Sequence, residues 1–228
     1  VRSQTTVKIL GEFLGTAVLV ATVVGSGIMG TTLSSDLGVA LLINTISTVL
    51  ALGVLIFLFL PISGAQFNPA VTMIMALRKD LSPQLASAYF FAQIFGGISG
   101  AALGNIMFGE AALQISQNAR DSFGLLVGEV VATAGLIFII VLTVMRGQAE
   151  KLSILVPAWI GAAYFFTSST SFANPAVTIA RMFTDSFSGI SPSSVLPFVV
   201  AQLLGALVGW VIATYFITLN TQKETHNV

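Results

Sequence analysis

Long apolar stretches separated by short polar breaks fill almost the whole chain. Six of them, at about residues 7–29, 37–60, 84–107, 123–145, 152–167 and 194–219, approach or exceed the roughly 20 mostly apolar residues that a membrane-spanning helix needs. Two further apolar segments, 69–77 and 175–182, reach about half that length. Each follows a run of small or polar residues that are poor helix formers, Ile62-Ser63-Gly64-Ala65-Gln66 and Thr167-Ser168-Ser169-Thr170-Ser171, and each begins with the same motif. The copies are Asn68-Pro69-Ala70-Val71-Thr72 and Asn174-Pro175-Ala176-Val177-Thr178. Asn is a strong helix N-cap, and Pro suits the first helical position because an N–H there would have no partner in the helix. The pattern therefore predicts two short helices that begin within the membrane, each with its positive dipole end pointing inward. Broken helices at that depth are tolerated only where the backbone faces protein or a water-filled cavity. A pair of them predicts a permeation pathway, with unwound carbonyls turned toward it.

The second half of the chain repeats the first. Gly11-Glu12 in the first span is answered by Gly128-Glu129 in the fourth, and Ala92-Gln93 in the third by Ala201-Gln202 in the sixth. A single domain over residues 1–228 thus divides into repeats of about 7–107 and 123–219. Three spans per repeat is an odd number, so the two copies must insert with opposite orientations, as in many transport proteins. The fold class is then an all-α membrane protein: six transmembrane helices plus two re-entrant half-helices, in inverted three-helix repeats. This topology puts Arg2, Lys8, Arg78, Lys79, Arg146, Lys151 and Lys223 on one side, and only Arg120 and Arg181 on the other. The positive-inside rule then places both termini in the cytoplasm. The first apolar run has no small-residue cleavage site and continues to spanning length, so it is expected to remain as a span.

Composition narrows the function classes. Of the 228 residues 55% are hydrophobic and 8% charged, with zero formal net charge, where soluble domains carry about a quarter charged residues. The lipid bilayer is the expected partner, and nothing points to nucleic acid. Cysteine is absent, which removes disulfides, thiolate catalysis and cysteine metal sites. The one histidine, His226, lies in a polar tail and is expected to be solvated. No phosphate-binding loop, nucleophile–base pair or metal cluster appears, so neither an enzyme nor a cofactor is expected. Glu12 and Glu129 are the acidic residues placed inside spans. Intramembrane carboxylates suggest an ion or proton relay by default. Their matched positions, and the lack of a basic partner at depth, favour a scaffold role in which each accepts hydrogen bonds from irregular backbone. Glycine pairs such as Gly100/Gly104, Gly124/Gly128 and Gly205/Gly209 have the small-xxx-small spacing of close helix packing.

The six-plus-two organisation, the glutamates of spans one and four, and Ser63-Gly64-Ala65-Gln66-Phe67-Asn68-Pro69-Ala70-Val71-Thr72 together resemble the aquaporin (major intrinsic protein) family over essentially the full chain. The resemblance implies a right-handed bundle whose half-helices meet at the bilayer centre. It also implies a homotetramer in the cell membrane with one pore per subunit, passing water and small neutral solutes. Asn68 and Asn174 would donate hydrogen bonds to the passing solute, and the two positive half-helix ends would oppose cations.

The resemblance further implies a selectivity filter at Thr48, Ala162, Ser171 and Val177, the middle two defined to within one residue. The family nearly always has arginine where Val177 stands, and water-selective members add an aromatic and a histidine. Arg181 lies more than a full turn farther along the half-helix and is not expected to take that place. Thr178 stands where glycerol-selective members usually carry an acid, and Gln66 where a histidine is common. A wide neutral filter implies a passive channel for neutral hydroxylated solutes (arsenous acid and other metalloid acids, glycerol, urea) and water. Some bacterial members with an altered filter serve arsenic handling. The alternatives are a general glycerol–water channel, an ion-coupled secondary transporter using Glu12 or Glu129, and a structural protein with a closed pore.

With no cysteine in the chain, thiol-directed mercurials are expected to leave its solute flux unchanged. Block reversed by a thiol reagent, measured in proteoliposomes, would contradict this.

Overall fold

The computed structural model describes the backbone of residues 2–226 and the side chains of residues 4–219. The side chains of Arg2, Lys223 and His226 therefore lie outside the described residues. In chain order the helices are α1 (Arg2–Leu33), α2 (Leu37–Ser63), α3 (Pro69–Leu77), α4 (Pro83–Met107), α5 (Phe123–Met145), α6 (Leu152–Phe166), α7 (Pro175–Arg181) and α8 (Pro192–His226), with a 3-10 turn at Ala149–Lys151 before α6. Their ends follow from local chemistry. Asp36 caps α2 by accepting hydrogen bonds from the N–H groups of Gly38 and Val39, and Ser82 caps α4 through Leu85. Helix α2 stops at Gly64, whose φ of 90° returns its N–H to the Leu60 carbonyl.

Five helices among the described residues are long and apolar enough to cross a membrane: α1, α2, α4, α5 and α8. Helix α6, expected as a full span, has 15 residues and so a length of about 22 Å. It ends early because Thr167 turns to an extended conformation (φ −98°, ψ 141°) and begins the approach to α7. Both half-helices begin at the prolines expected from the sequence.

The two halves pack alike. Helix α1 lies along α4 as α5 lies along α8, α2 packs on α1 as α6 packs on α5, and α2 meets α6 across the halves. Each half-helix touches both α4 and α8, so each is held by its own repeat and by the other. The main pairings close over glycine. A Cβ on Gly100 of α4 would stand 2.1 Å from the Ala17 carbonyl oxygen of α1, and one on Gly209 of α8 would stand 2.1 Å from the Ala134 carbonyl oxygen of α5. Gly124, expected in a tight pair, does not make such a contact, since its nearest neighbour is the Ser168 hydroxyl at 4.0 Å. Away from these seams, large apolar side chains such as Leu10, Leu14, Val54, Phe57, Phe95 and Val211 face outward. An apolar belt of that extent is what a hydrocarbon surround stabilises.

Substituting Gly100→Val or Gly209→Val forces each helix pair apart. The expected cost is about 1–3 kcal/mol, typical of overpacking, and should appear as a lower Tm in detergent. An unchanged Tm for both variants would contradict the close-packing account.

Candidate permeation pathway

The pathway starts from backbone that ordinary residues avoid. Leading into α3, Ala65 and Phe67 have φ of 48° and 48°, and leading into α7, Ser171 and Ala173 have φ of 51° and 47°. Left-handed geometry at non-glycine residues costs on the order of 1–3 kcal/mol each and persists only where surrounding contacts impose it. Here the contacts come from the glutamates. The Glu12 carboxylate accepts hydrogen bonds from the N–H groups of Gln66 (3.0 Å) and Phe67 (2.6 Å), from the Ser63 hydroxyl (2.6 Å) and from Gln93 Nε2 (2.8 Å). In the other repeat Glu129 accepts from the N–H groups of Phe172 (2.9 Å) and Ala173 (2.8 Å) and from Gln202 Nε2 (2.6 Å). Each glutamine also donates to a half-helix threonine, Gln93 to Thr72 and Gln202 to Thr178. The sequence signalled Gln93 and Gln202 as a repeated pair, but it did not reveal this role.

The segments so held bring the two half-helices together end to end. Asn68 caps α3 by accepting from the Ala70 N–H at 2.9 Å, and Asn174 caps α7 by accepting from Ala176 (2.9 Å) and Val177 (3.3 Å). The amide nitrogens then cross over: Asn68 Nδ2 donates to the Ala173 carbonyl at 2.7 Å, and Asn174 Nδ2 donates to the Phe67 carbonyl at 2.8 Å. Two helices joined at their N-terminal ends enter from opposite sides, which is the inverted arrangement read from the sequence. Each Asn commits one of its two amide hydrogens to this tie, leaving one for other partners.

A cavity of about 220 Å³ passes this junction. Its walls are apolar stripes at helical spacing, Thr48, Leu52, Ile56 and Leu60 from α2 and Leu152, Val156, Ile160 and Tyr164 from α6, joined by residues of α1 and α5. Its polar groups come from the two irregular segments, from Asn68 and Asn174, and from the side chains of Thr48, Tyr164 and Arg181. Neither Glu12 nor Glu129 lines it; both are fully buried behind the pathway.

Of the four expected filter positions the structure brings three to the cavity, Thr48, Ser171 and Val177. Ser171 Oγ is buried with no hydrogen-bond partner among the described residues. Ala162 is exposed and does not line the cavity, which corrects the expectation for that position. Residues two apart on a helix do not share a face, and the inward stripe of α6 steps by four to Tyr164. Its phenol approaches the Thr48 hydroxyl at 3.5 Å. The helical period of 152, 156 and 160 was the signal for Tyr164.

Arg181, not expected to take the place of Val177, does not take it but reaches the pathway one turn farther along. Asn174, Val177 and Arg181 stand at i, i+3 and i+7 on one face of α7, and all three line the cavity. The guanidinium carbon lies 3.4 Å from the centre of the Phe172 ring, and Nε donates to the Ser188 carbonyl. Arg120, from the loop before α5, reaches the same ring at 5.0 Å and donates from Nε to the Gly189 carbonyl at 3.0 Å. Burial holds the Arg120 guanidinium below its usual range, with the Glu129 charge opposing that shift.

Comparison with known proteins gives a consistent picture. The family described as Major intrinsic protein matches residues 1–173, a span that ends just before Asn174. The chain is 46% identical to aquaglyceroporin AqpS of Rhizobium meliloti (strain 1021) over 200 residues, covering 88% of this chain and 85% of that protein. It is 38% identical to the neurogenic protein big brain of Drosophila melanogaster over 96 residues, which is 42% of this chain and 14% of that much longer one. In fold it matches the X-ray structure of the aquaglyceroporin from Plasmodium falciparum with a TM-score of 0.69 and 23% identity, covering 90% of this chain and 93% of the other.

Replacing Glu12 or Glu129 by Gln turns an acceptor-only group into one that presents N–H to N–H. Each variant is expected to lose about 1–3 kcal/mol, the cost of leaving buried donors unpaired, and to lose solute flux along with it. A variant that keeps its Tm but loses only a gradient-driven component of uptake would identify a relay instead.

Proposed function

Because the chain belongs to the major intrinsic protein family, we propose that it forms a membrane channel for the passive permeation of neutral hydroxylated solutes and water. The solutes are arsenous acid and other metalloid acids, glycerol and urea. The observation that carries this reading is the cavity wall at Val177. An isopropyl group and the unpartnered Ser171 hydroxyl lie on the pathway one turn from Asn174, at the place where the family resemblance leads one to expect a guanidinium. Without that group the passage there is wider, uncharged and polar on one side. Tyr164 and Thr48 add two hydroxyls to the same stretch. Such a surface matches a small molecule with several hydroxyls and an apolar flank. Similarity to an aquaglyceroporin supports glycerol among the solutes.

In this reading Asn68, Pro69, Ala70, Asn174, Pro175 and Ala176 form the central constriction, where each Asn offers its second amide hydrogen. Thr48, Tyr164, Ser171 and Val177 form the filter. Ion-coupled transport gains no support from Glu12 and Glu129, since both lie off the cavity and are occupied by donors. The whole chain acts as one channel domain of two repeats, assembled as a homotetramer with a pore in each subunit. We place it in the plasma membrane with both termini cytoplasmic. Arg78 at the end of α3 reaches Met145 at the end of α5, so Arg78, Lys79, Arg146 and Lys151 gather on one side, away from Arg120 and Arg181.

Stopped-flow light scattering on proteoliposomes tests the proposal, with water, glycerol and arsenous acid gradients run in parallel. Wild type is expected to pass all three. Val177→Arg is expected to cut glycerol and arsenous acid flux by about tenfold or more, a barrier change of about 1.4 kcal/mol, while water flux persists. A wild type that passes glycerol and water but no arsenous acid would reduce the reading to a general glycerol–water channel. Passage of water alone would overturn it.

A further inference from the structure

The inverted repeat places the same ladder on both half-helices. Asn68, Val71 and Met75 line the cavity from α3, and Asn174, Val177 and Arg181 line it from α7. Matching rungs carry matching residues until the last. There one mouth of the pathway receives a thioether and the other a guanidinium.

That guanidinium is unusually placed for a charge. Arg181 is 3% exposed, and buried charges are ordinarily paired. Among the described residues the single ion pair joins Arg78 to Asp80, far from this mouth in the fold. Glu129 is the carboxylate whose charge reaches both Arg181 and Arg120, but its oxygens bond the Phe172 and Ala173 N–H groups and Gln202, and it forms an ion pair with neither arginine. What holds Arg181 is uncharged: the face of Phe172 and the Ser188 carbonyl. Phe172 is itself fixed by edge contact with Phe198, their ring centres 5.3 Å apart. The terminal nitrogens of Arg181 have no hydrogen-bond partner among the described residues, and they are not sealed away from the cavity that the side chain lines. Arg120, against the same ring and also without an ion pair, adds a second positive charge behind it. Two guanidinium groups against one carboxylate leave a net positive charge in a low-dielectric wall beside a narrow passage, and such a charge focuses its field along that passage.

We propose that Arg181, braced on Phe172 with Arg120 behind it, is the charge filter of this channel: it turns small cations back at its own mouth and lets neutral solutes by. The residue therefore separates two tasks along the pathway. Val177 leaves room for large neutral solutes, and one turn away Arg181 sets the sign of charge that can reach them. The proposal rests on the channel reading above.

Urea and guanidinium test it as a pair, since they share size, planarity and donor geometry but differ by one positive charge. Proteoliposomes carrying wild type, Arg181→Met (which copies the Met75 rung), Arg181→Gln and Arg181→Lys are assayed for urea flux, for guanidinium uptake, and for slowing of urea flux by guanidinium. A guanidinium ion that enters the mouth either crosses or stalls at the half-helix ends, and a stalled ion slows urea. Wild type and Arg181→Lys are expected to pass urea and to be indifferent to guanidinium. Arg181→Met and Arg181→Gln are expected to keep urea flux and either to take up guanidinium about tenfold faster or to become blocked by it, the scale on which focused charge alters local ion concentration.

The proposal is overturned if both neutral variants pass urea and still ignore guanidinium, or if wild type itself admits guanidinium at the rate of urea. Urea flux in each variant reports that it is folded, and the two neutral substitutions guard against one of them failing. A wild type impermeable to urea, glycerol and water alike overturns the channel reading instead, and so is distinguishable from either result.

Discussion

A backbone N–H in the hydrocarbon core of a membrane has no water to bond, and a left-handed, unwound segment supplies few bonds of its own. In this protein the segments before Asn68 and Asn174 are of that kind, and two carboxylates behind them accept the N–H groups they leave over. Everything on the pathway depends on this arrangement. Because the donors are drawn back toward Glu12 and Glu129, the backbone is fixed in the shape that turns each half-helix toward the centre. Because the backbone is fixed, Asn68 and Asn174 can reach across to each other's repeat. The glutamates thus work as internal struts, which agrees with their place off the cavity.

The helix packing supports the same geometry from outside. Carbonyls of α1 and α5 sit where α4 and α8 have glycine, so the long helices of each repeat come close enough to put Gln93 and Gln202 within reach of the glutamates. The repeats are alike in this frame and differ in what fills it. Tyr89 donates to the Ser63 carbonyl in the first repeat. The second repeat has instead an apolar cluster of Phe172, Ile190 and Phe198. That cluster gives Arg181 its platform, so the asymmetry of charge between the two mouths has its origin in packing.

Much of this was legible in the chain. The Asn-Pro pairs fixed the start of both half-helices, because capping chemistry is local. The repeated glutamates and glutamines marked the struts, because an intramembrane carboxylate is too costly to be accidental. The cavity wall was read less well. Ala162 and Tyr164 are two residues apart, and choosing between them needs the rotational phase of α6, which a residue count back from a loop does not give. Counting by fours from Leu152 would have given it. Arg181 was set aside only as a replacement for Val177; that it still reaches the passage follows from positions at i, i+4 sharing a helix face. Its platform, Phe172, comes from a segment whose shape no periodicity describes.

The crossed tie between Asn68 and Ala173, and between Asn174 and Phe67, also has a bearing on synthesis. Chains emerge from the ribosome N-terminal end first, so α3 exists while its partner is still unmade. Over that interval the amide of Asn68 and the carbonyl of Phe67 lack the bonds they have in the finished protein. The strut at Glu12 can form early, since all its donors lie within the first repeat. The first half-helix can therefore be shaped before the second is translated, but its crossed tie can be made only afterwards.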